Sequence, residues 1–410
     1  MKWVETGVPC TMKAERLSLA GVTGILLVTA LGVALPSLLP GIVDWRTVFE
    51  LTLWGTTALF AVTAVVWVVL TYVVGAGYET PEAVHGGDDI QVRILTVDAD
   101  DVVQATVDSL PDALDDVHII AESPMAIDGA TVDVVPDEFA CEAVRKGRAL
   151  EWARQAIDCE REFILYLDED SRIDSFTGLP DADVVQLREQ PRHTGSMLSY
   201  LADIYRMGVQ IEQRAFARLS IPLFAWGGGI AVRKDVEDAV TWNRETIVED
   251  TAFVWAAADQ LDLSFALAEA TCRNEAPPSL GEILQQRRRW AAGNLRAAEN
   301  LPLGYQFVTR LRNCAWALSP VVTLVVVPLS ILGVGIVASG LFLLVSLTLA
   351  LFTVFWYLRG VRYYGSDKRH WALAVPLAPV VTVVHSMGTV AGILNPPESF
   401  RVTKKVGDGA

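Results

Sequence analysis

No CxxC pair links any of the five cysteines (Cys10, Cys141, Cys159, Cys272, Cys314), and the five histidines form neither HExxH nor a neighbouring cluster. Zinc, iron–sulfur and disulfide chemistry therefore lack a basis in the sequence. GxGxxG and GxxxxGK(S/T) are both missing, which sets aside dinucleotide and P-loop folds. Lysine is scarce, 7 residues against 26 arginines, and positive charge is scarcest in the middle of the chain. Residues 78–300 carry 20 Lys+Arg against 42 Asp+Glu, while the remainder carries 13 against 7. A field that negative excludes nucleic acid as a partner, because phosphate binding needs a basic surface. The abundance of aspartate over lysine suits a surface solvated for a high-salt, halophilic cytoplasm.

What is abundant is apolar: 52% of the 410 residues are hydrophobic and the mean hydropathy is +0.35. Such a chain is a membrane protein with a folded soluble part. Residues 17–43 and 51–77 contain no charge, and each run exceeds the roughly 20 residues a membrane helix needs. A cleaved signal peptide competes for the first run, but it is long, lacks a small-x-small cleavage site and is followed by a second span. Lys2, Lys13 and Arg16 before it place the N-terminus in the cytoplasm, so the acidic part is cytoplasmic as well. Three further apolar runs follow, at 315–338, 341–358 and 371–394, with a basic loop (Arg359, Arg362, Lys368, Arg369) before the last. The expected organisation is two N-terminal spans in 1–77, a catalytic unit in 78–300, and an interfacial helix, membrane helices and tail in 301–410. Pro376 and Pro379 predict that the last run breaks into a re-entrant hairpin, with His385 and Ser386 facing protein or water. That hairpin would keep the tail on the cytoplasmic side, over the mouth of the site.

Between the membrane parts, short β-branched runs at 91–97, 117–121, 131–135 and 163–167 alternate with helical patterns, notably 141–157. The expectation is an α/β unit with a largely parallel sheet. The run ending at Leu167 delivers Asp168, Glu169 and Asp170, and carboxylates at a strand's C-terminal end sit where such sheets bind ligands. Asp168 and Asp170 can hold Mg²⁺ or Mn²⁺ against a diphosphate. The pairs Asp98/Asp100 and Asp181/Asp183 match the same short pattern without that position. Glu249 and Asp250 precede an apolar helical run; they read either as acidic residues favoured by a helix dipole or, for Asp250, as a general base. Gly227, Gly228 and Gly229 read as a turn needing positive φ. In the amphipathic stretch 280–298, Gln286, Arg289 and Trp290 complete a QxxRW pattern. Arg289 can clamp a departing diphosphate and Trp290 can stack on a sugar, while Arg287 and Arg288 suit an anionic membrane surface.

Together these residues resemble family 2 of the inverting glycosyltransferases, to which cellulose, chitin and hyaluronan synthases and the egghead-type β-1,4-mannosyltransferases belong. The likeness lies in the run from Lys146 to Leu150, in Leu167 to Asp170, in Pro222 to Gly227, in Val248 to Asp250, in Gln285 to Trp290 with Glu275, and in the FxVTxK tail (Phe400, Val402, Thr403, Lys405). The resemblance implies a GT-A nucleotide-sugar domain joined to a helical transmembrane region in a multi-pass cell-membrane protein. It implies a divalent metal on Asp170, with Asp168, Glu122, Lys146 and Gln286 on the donor. Asp250 becomes the base, with Arg289 on the diphosphate. Trp226, Gly227 to Gly229, Glu249 and Trp290 take the acceptor side, and the tail gates the site. The donor would be GDP-mannose or a UDP-sugar, the acceptor a lipid or lipid-linked glycan. The first strand departs from the pattern at Asp98 and Asp100, where a small, basic character is expected. A processive polysaccharide synthase, or a non-catalytic transporter or receptor, are the competing readings.

Overall fold

The computed structural model describes residues 44–333, 336–364 and 368–397, with positions 403 and 405; the apolar run 17–43, Phe400 and Val402 lie outside the described residues. Helix α1 (Trp45–Val69) opens on Asp44, whose carboxylate accepts from the Thr47 hydroxyl at 2.6 Å. Beyond it, eight strands form one sheet: β1 (Ile90–Thr96), β2 (Asp116–Ala121), β3 (Thr131–Val134), β4 (Phe163–Asp168), β5 (Arg172–Ser175), β6 (Val184–Arg192), β7 (Ile230–Arg233) and β8 (Phe265–Glu275). Six helices accompany them: α2 (Asp100–Val107), α3 (Lys146–Ala156), α4 (Met197–Gln210), α5 (Lys234–Val240), α6 (Glu249–Gln260) and α7 (Leu280–Ala297).

The spatial order is β3-β2-β1-β4-β7-β6-β8-β5. Strands β3, β2, β1 and β4 are parallel, as the strand–helix alternation predicts. Of the seven strand pairings four are parallel, β6 with β8 among them, as a largely parallel sheet requires; the exceptions are β7, antiparallel to β4 and to β6, and β5, antiparallel to β8. A tight turn at residues 168–171, where the Ser171 N–H donates to the Asp168 carbonyl at 3.0 Å, leads out of β4 toward β5 at the far edge of the sheet. Chain order reverses between β1 and β4, and the crevice outside their carboxyl ends is where open α/β sheets bind ligands. All seven residues of β1 are buried, and Leu95 lies in register with Asp168.

Helix α3 is shorter than the predicted 141–157. Arg145, at φ 55°, breaks the helical path, and Asn243 Oδ1 instead accepts from the Glu142 N–H at 2.7 Å. Helix α7 matches its amphipathic pattern. Ser279 caps it by accepting from the Glu282 N–H at 3.2 Å, a contact worth about 1 kcal/mol.

Three more helices complete the described chain: α8 (Leu303–Val321), which continues through a π-type turn to Ile331, α9 (Ser339–Tyr364) and α10 (Lys368–Leu394). With α1 they provide four described helices long and apolar enough to cross a membrane. The predicted hairpin in the last run does not form, because α10 passes through both Pro376 and Pro379. Each proline removes one N–H bond and costs about 3 kcal/mol alone, but close packing of the later turns holds the helix. Gly388 and Gly392 bring α10 against the α7 backbone: a Cβ on Gly388 would lie 2.4 Å from the Leu284 carbonyl oxygen, and one on Gly392 2.5 Å from that of Arg288. Small residues four apart permit such contact. Likewise a Cβ on Gly360 of α9 would lie 2.6 Å from Gly208 N of α4. The helices are thus bolted to the sheet domain through backbone contact. The C-terminal ends of α9 and α10 both return to it: Tyr364 O accepts from Gln190 Nε2, and Asn395 O accepts from Arg288 Nε at 2.8 Å.

Candidate active site

A cleft of 1930 Å³ opens at the carboxyl ends of β1 and β4 and collects most of the residues that the sequence singles out, among them Asp168, Lys146, Asp250, Arg289 and Trp290. Strand β4 carries Asp168 to the rim, and α3 presents Lys146 opposite it. The Lys146 ammonium donates to Asp168 Oδ1 at 2.7 Å and stands 3.6 Å from both Glu249 and Asp250. Burial opposes that charge, but Asp168, Asp250 and Glu249 outweigh it and hold the lysine above its ordinary pKa. Asp168 is held low in turn: Lys146, Lys405 and Arg289 together outweigh its desolvation.

Glu249 and Asp250 form the first turn of α6, so the helix-dipole reading and the cleft placement hold at once. Burial pushes Asp250 up to about 7 against the pull of Lys146, with Glu249 and Asp168 adding to the rise. Glu169 is also pushed up to about 7, by burial that its hydrogen bond from the Thr96 hydroxyl, 2.8 Å, does not offset. The raised pKa of Glu169 was not signalled by its place between two aspartates.

Asp170 has no exposed surface, and its Oδ2 accepts from the Glu275 N–H at 2.7 Å. Its Oδ1 has no aligned hydrogen-bond donor and faces the Lys405 ammonium at 2.6 Å. A buried carboxylate oxygen whose neighbour is a bare cationic group fits a divalent cation, for which the ammonium stands in. Among the described residues a different trio, His85, Asp89 and Glu162, brings three ligand atoms within 4.8 Å of one another. It lies at the opposite ends of β1 and β4, where Glu162 also pairs with Arg233, and takes no part in this site. The four cysteines among the described residues are free.

The glycines following Trp226 do form a turn, but not one that needs positive φ. None of Gly227, Gly228 and Gly229 has positive φ. A Cβ on Gly227 would lie 2.4 Å from both Asp250 Oδ1 and Lys146 Nζ, and one on Gly228 2.3 Å from Asn274 Nδ2. The backbone passes so close to the carboxylate that only glycine fits. Gln186 of β6 fixes this strand, donating to the Trp226 and Gly229 carbonyls at 3.0 and 2.7 Å and accepting from the Trp226 N–H. No sequence signal marked Gln186 or Asn274, because their role is set by pairing across the sheet.

On α7, Arg287 is not on a membrane surface: it is wholly buried and pairs with Asp203 of α4. An anionic partner one helix away outweighs the lipid surface that its basic neighbours suggest. Its guanidinium sits 4.2 Å from the centroid of Trp290, so one face of the indole is already covered. Gln286 Oε1 accepts from Arg287 Nη1 at 2.7 Å. Arg289 and Arg145 both line the cleft, and burial, then the charge of Arg289, lowers the pKa of Arg145. Glu122 lines it too, as an acceptor from Arg148 at 3.3 Å. Thr403 is buried at the same mouth.

Residues 163–359 match the family model described as Glycosyl transferase family group 2. A curated relative, the β-1,4-mannosyltransferase egh of Drosophila melanogaster, is 22% identical over 306 residues, 66% of each chain. Among solved structures, glucosyl-3-phosphoglycerate synthase from Mycobacterium tuberculosis, in complex with phosphoglyceric acid, aligns with a TM-score of 0.33 and 18% identity over 53% of this chain and 82% of that one. The segment from β4 into α9 thus matches a family 2 glycosyltransferase model, and the described chain carries four helices apolar enough for a membrane.

Proposed function

We propose that this glycosyltransferase moves one hexose, with inversion, from a nucleotide-sugar to a lipid-linked acceptor at the cytoplasmic face of the cell membrane. The observation that carries the reading is the placement of Asp250. It is a buried carboxylate raised to about 7, aimed into a cleft shared with Asp168, Glu169 and Arg289 and continuous with the apolar helices. A base poised near neutral pH is suited to take a proton from a hydroxyl as it attacks an anomeric carbon. Lys146 offsets the repulsion between Asp168 and Asp250 and offers its ammonium to the donor. Arg289 and Arg145 face the region where a diphosphate gathers charge on leaving. Asp170, with Asp168, would hold Mg²⁺ or Mn²⁺, which supplies charge neutralisation of that diphosphate when bound. Opposite ends of a single displacement are served, so no covalent enzyme intermediate is required.

The division into 1–77, 78–300 and 301–410 belongs to this proposal, as does the cytoplasmic side, which rests on Lys2, Lys13, Arg16 and the basic loop before α10. The relative's β-1,4-mannosyl transfer favours GDP-mannose over a UDP-sugar as donor. Native membranes incubated with labelled GDP-mannose and UDP-hexoses test it. Metal-dependent label in a chloroform-soluble lipid is the expected result, and label in no lipid or polymer with any donor would overturn it.

A further inference from the structure

The indole of Trp290 does not stand in the cleft unsupported. Two guanidiniums lie over its ring, Arg287 at 4.2 Å and Arg206 at 5.2 Å from the centroid. Asp203 Oδ1 accepts from Arg206 Nε at 3.1 Å and from Arg287 Nη2, so one carboxylate oxygen joins both cations. Glu189 of β6 takes the other edge of Arg206 in two bonds of 2.7 and 2.6 Å. Glu189, Asp203, Arg206 and Arg287 are each at most 8% exposed, and their charges cancel. Contact thus runs from β6 through α4 to the indole on α7. From another side α10 closes on the same arginine: a Cβ on Gly388 would lie 2.6 Å from Arg287 Cβ.

Stability alone does not account for such a quartet. Apolar side chains of similar volume commonly fill a core as well or better, because desolvating buried charges offsets most of what their pairing returns. Direction is what the charges add. A bidentate carboxylate fixes the plane of a guanidinium, and a flat guanidinium stacks on an aromatic ring. Glu189, Asp203, Arg206 and Trp290 all border the cleft. Each guanidinium is already matched by a carboxylate, which leaves the indole as the group through which the set acts on a ligand.

We propose that Asp203 is a positioning residue: by holding Arg287 and Arg206 over the Trp290 ring, it fixes the angle at which the indole meets the acceptor. The inference rests on the glycosyltransferase reading, which puts Trp290 on the acceptor side, and adds the residue that sets it there.

Fluorine NMR of the full chain, labelled with 5-fluorotryptophan in detergent micelles, tests the geometry without any substrate. Loss of one signal in Trp290→Phe identifies that tryptophan. The signal should shift or broaden in Asp203→Asn, and also in Arg287→Lys, which keeps a charge for Asp203 but lacks the flat guanidinium. The other tryptophan signals should stay in place. Asp203→Asn combined with Arg287→Gln leaves no unpaired buried charge, so its thermal midpoint should return toward wild type while the Trp290 signal remains displaced. A merely structural quartet would restore both.

Transfer supplies the second readout, with saturating labelled GDP-mannose and increasing amounts of chloroform-soluble lipid extracted from native membranes. Half-saturation by the extract should rise about tenfold in Asp203→Asn, with GDP–Mg²⁺ binding within about twofold. In a Trp290→Ala background the same substitution should change half-saturation by no more than about twofold, because the two residues act as one unit. An unmoved Trp290 signal in these variants, or full additivity with Trp290→Ala, overturns the inference. Arg287→Lys and the paired double variant carry the test where Asp203→Asn does not fold. A displaced signal in a chain whose wild type transfers label from no donor refutes the glycosyltransferase reading alone.

Discussion

Lys405 and Asp170 meet at 2.6 Å, tail to strand end, with the carboxylate wholly buried and the lysine side chain 15% exposed. The ammonium sits where a cation on Asp170 would have to sit, so tail and metal compete for one oxygen. Burial opposes the charge on Lys405, but Asp170 and Asp168 outweigh it and raise its pKa. Lys405 is therefore charged where it meets Asp170, and a cation bound at Asp170 Oδ1 would have to displace it.

Replacing Lys405 by Met should tighten Mn²⁺ binding to the nucleotide-free protein by about tenfold, since a competing charge is removed. Titration followed by the EPR signal of free Mn²⁺ reads this directly. Unchanged or weaker affinity would show that the tail does not compete. Asp170→Ala should abolish the same binding, because one remaining carboxylate holds the ion poorly against solvent.

Asp250→Asn is expected to lower transfer by about 10² to 10⁴ while nucleotide binding persists, the usual worth of a general base. Single-turnover rates with saturating donor are the measurement. Near-normal turnover would remove Asp250 from the mechanism.

The pH dependence follows from the raised pKa of Asp250 and of Glu169, both near 7. A base must be ionised, so transfer should rise with pH through about 7, and Asp250→Asn should lose that limb. Stability has the opposite sign. Between about pH 4 and 7 the folded chain binds more protons at these two carboxyls than the unfolded chain does, and their contribution to stability falls as pH increases across that window. Thermal midpoints from pH 5 to 8 should show a decline from these groups that flattens in Asp250→Asn.

Gly227→Ala should cost activity without touching the sheet. Its methyl would lie 2.4 Å from Asp250 Oδ1 and from Lys146 Nζ, so either the base or its lysine must move. A fall in transfer of about 10² with a Tm within a few degrees of wild type is expected. Normal kinetics would mean that the loop accommodates the methyl and does not position the base.

The strands β1 to β4, the DED turn, the QxxRW helix and the apolar helices were legible because each rests on local information: periodicity, strand ends, or a run longer than a bilayer. The FxVTxK tail was legible only as a motif; the contact of Lys405 with Asp170 was not, and α10 stays unbroken through Pro376 and Pro379 where a hairpin was expected. Packing decided what pattern could not. Arg287 went inside because Asp203 of α4 waits there, the glycines after Trp226 yield room to Asp250 instead of adopting positive φ, and β7 inserts antiparallel between β4 and β6. Composition and periodicity record which face of an element is apolar, and that suffices to build the sheet and the helices. Which charge finds which partner, and where polar groups such as Gln210 and Asn313 are left unsatisfied beside a cavity, depends on contacts between residues far apart in the chain. Those exist only once the elements have docked.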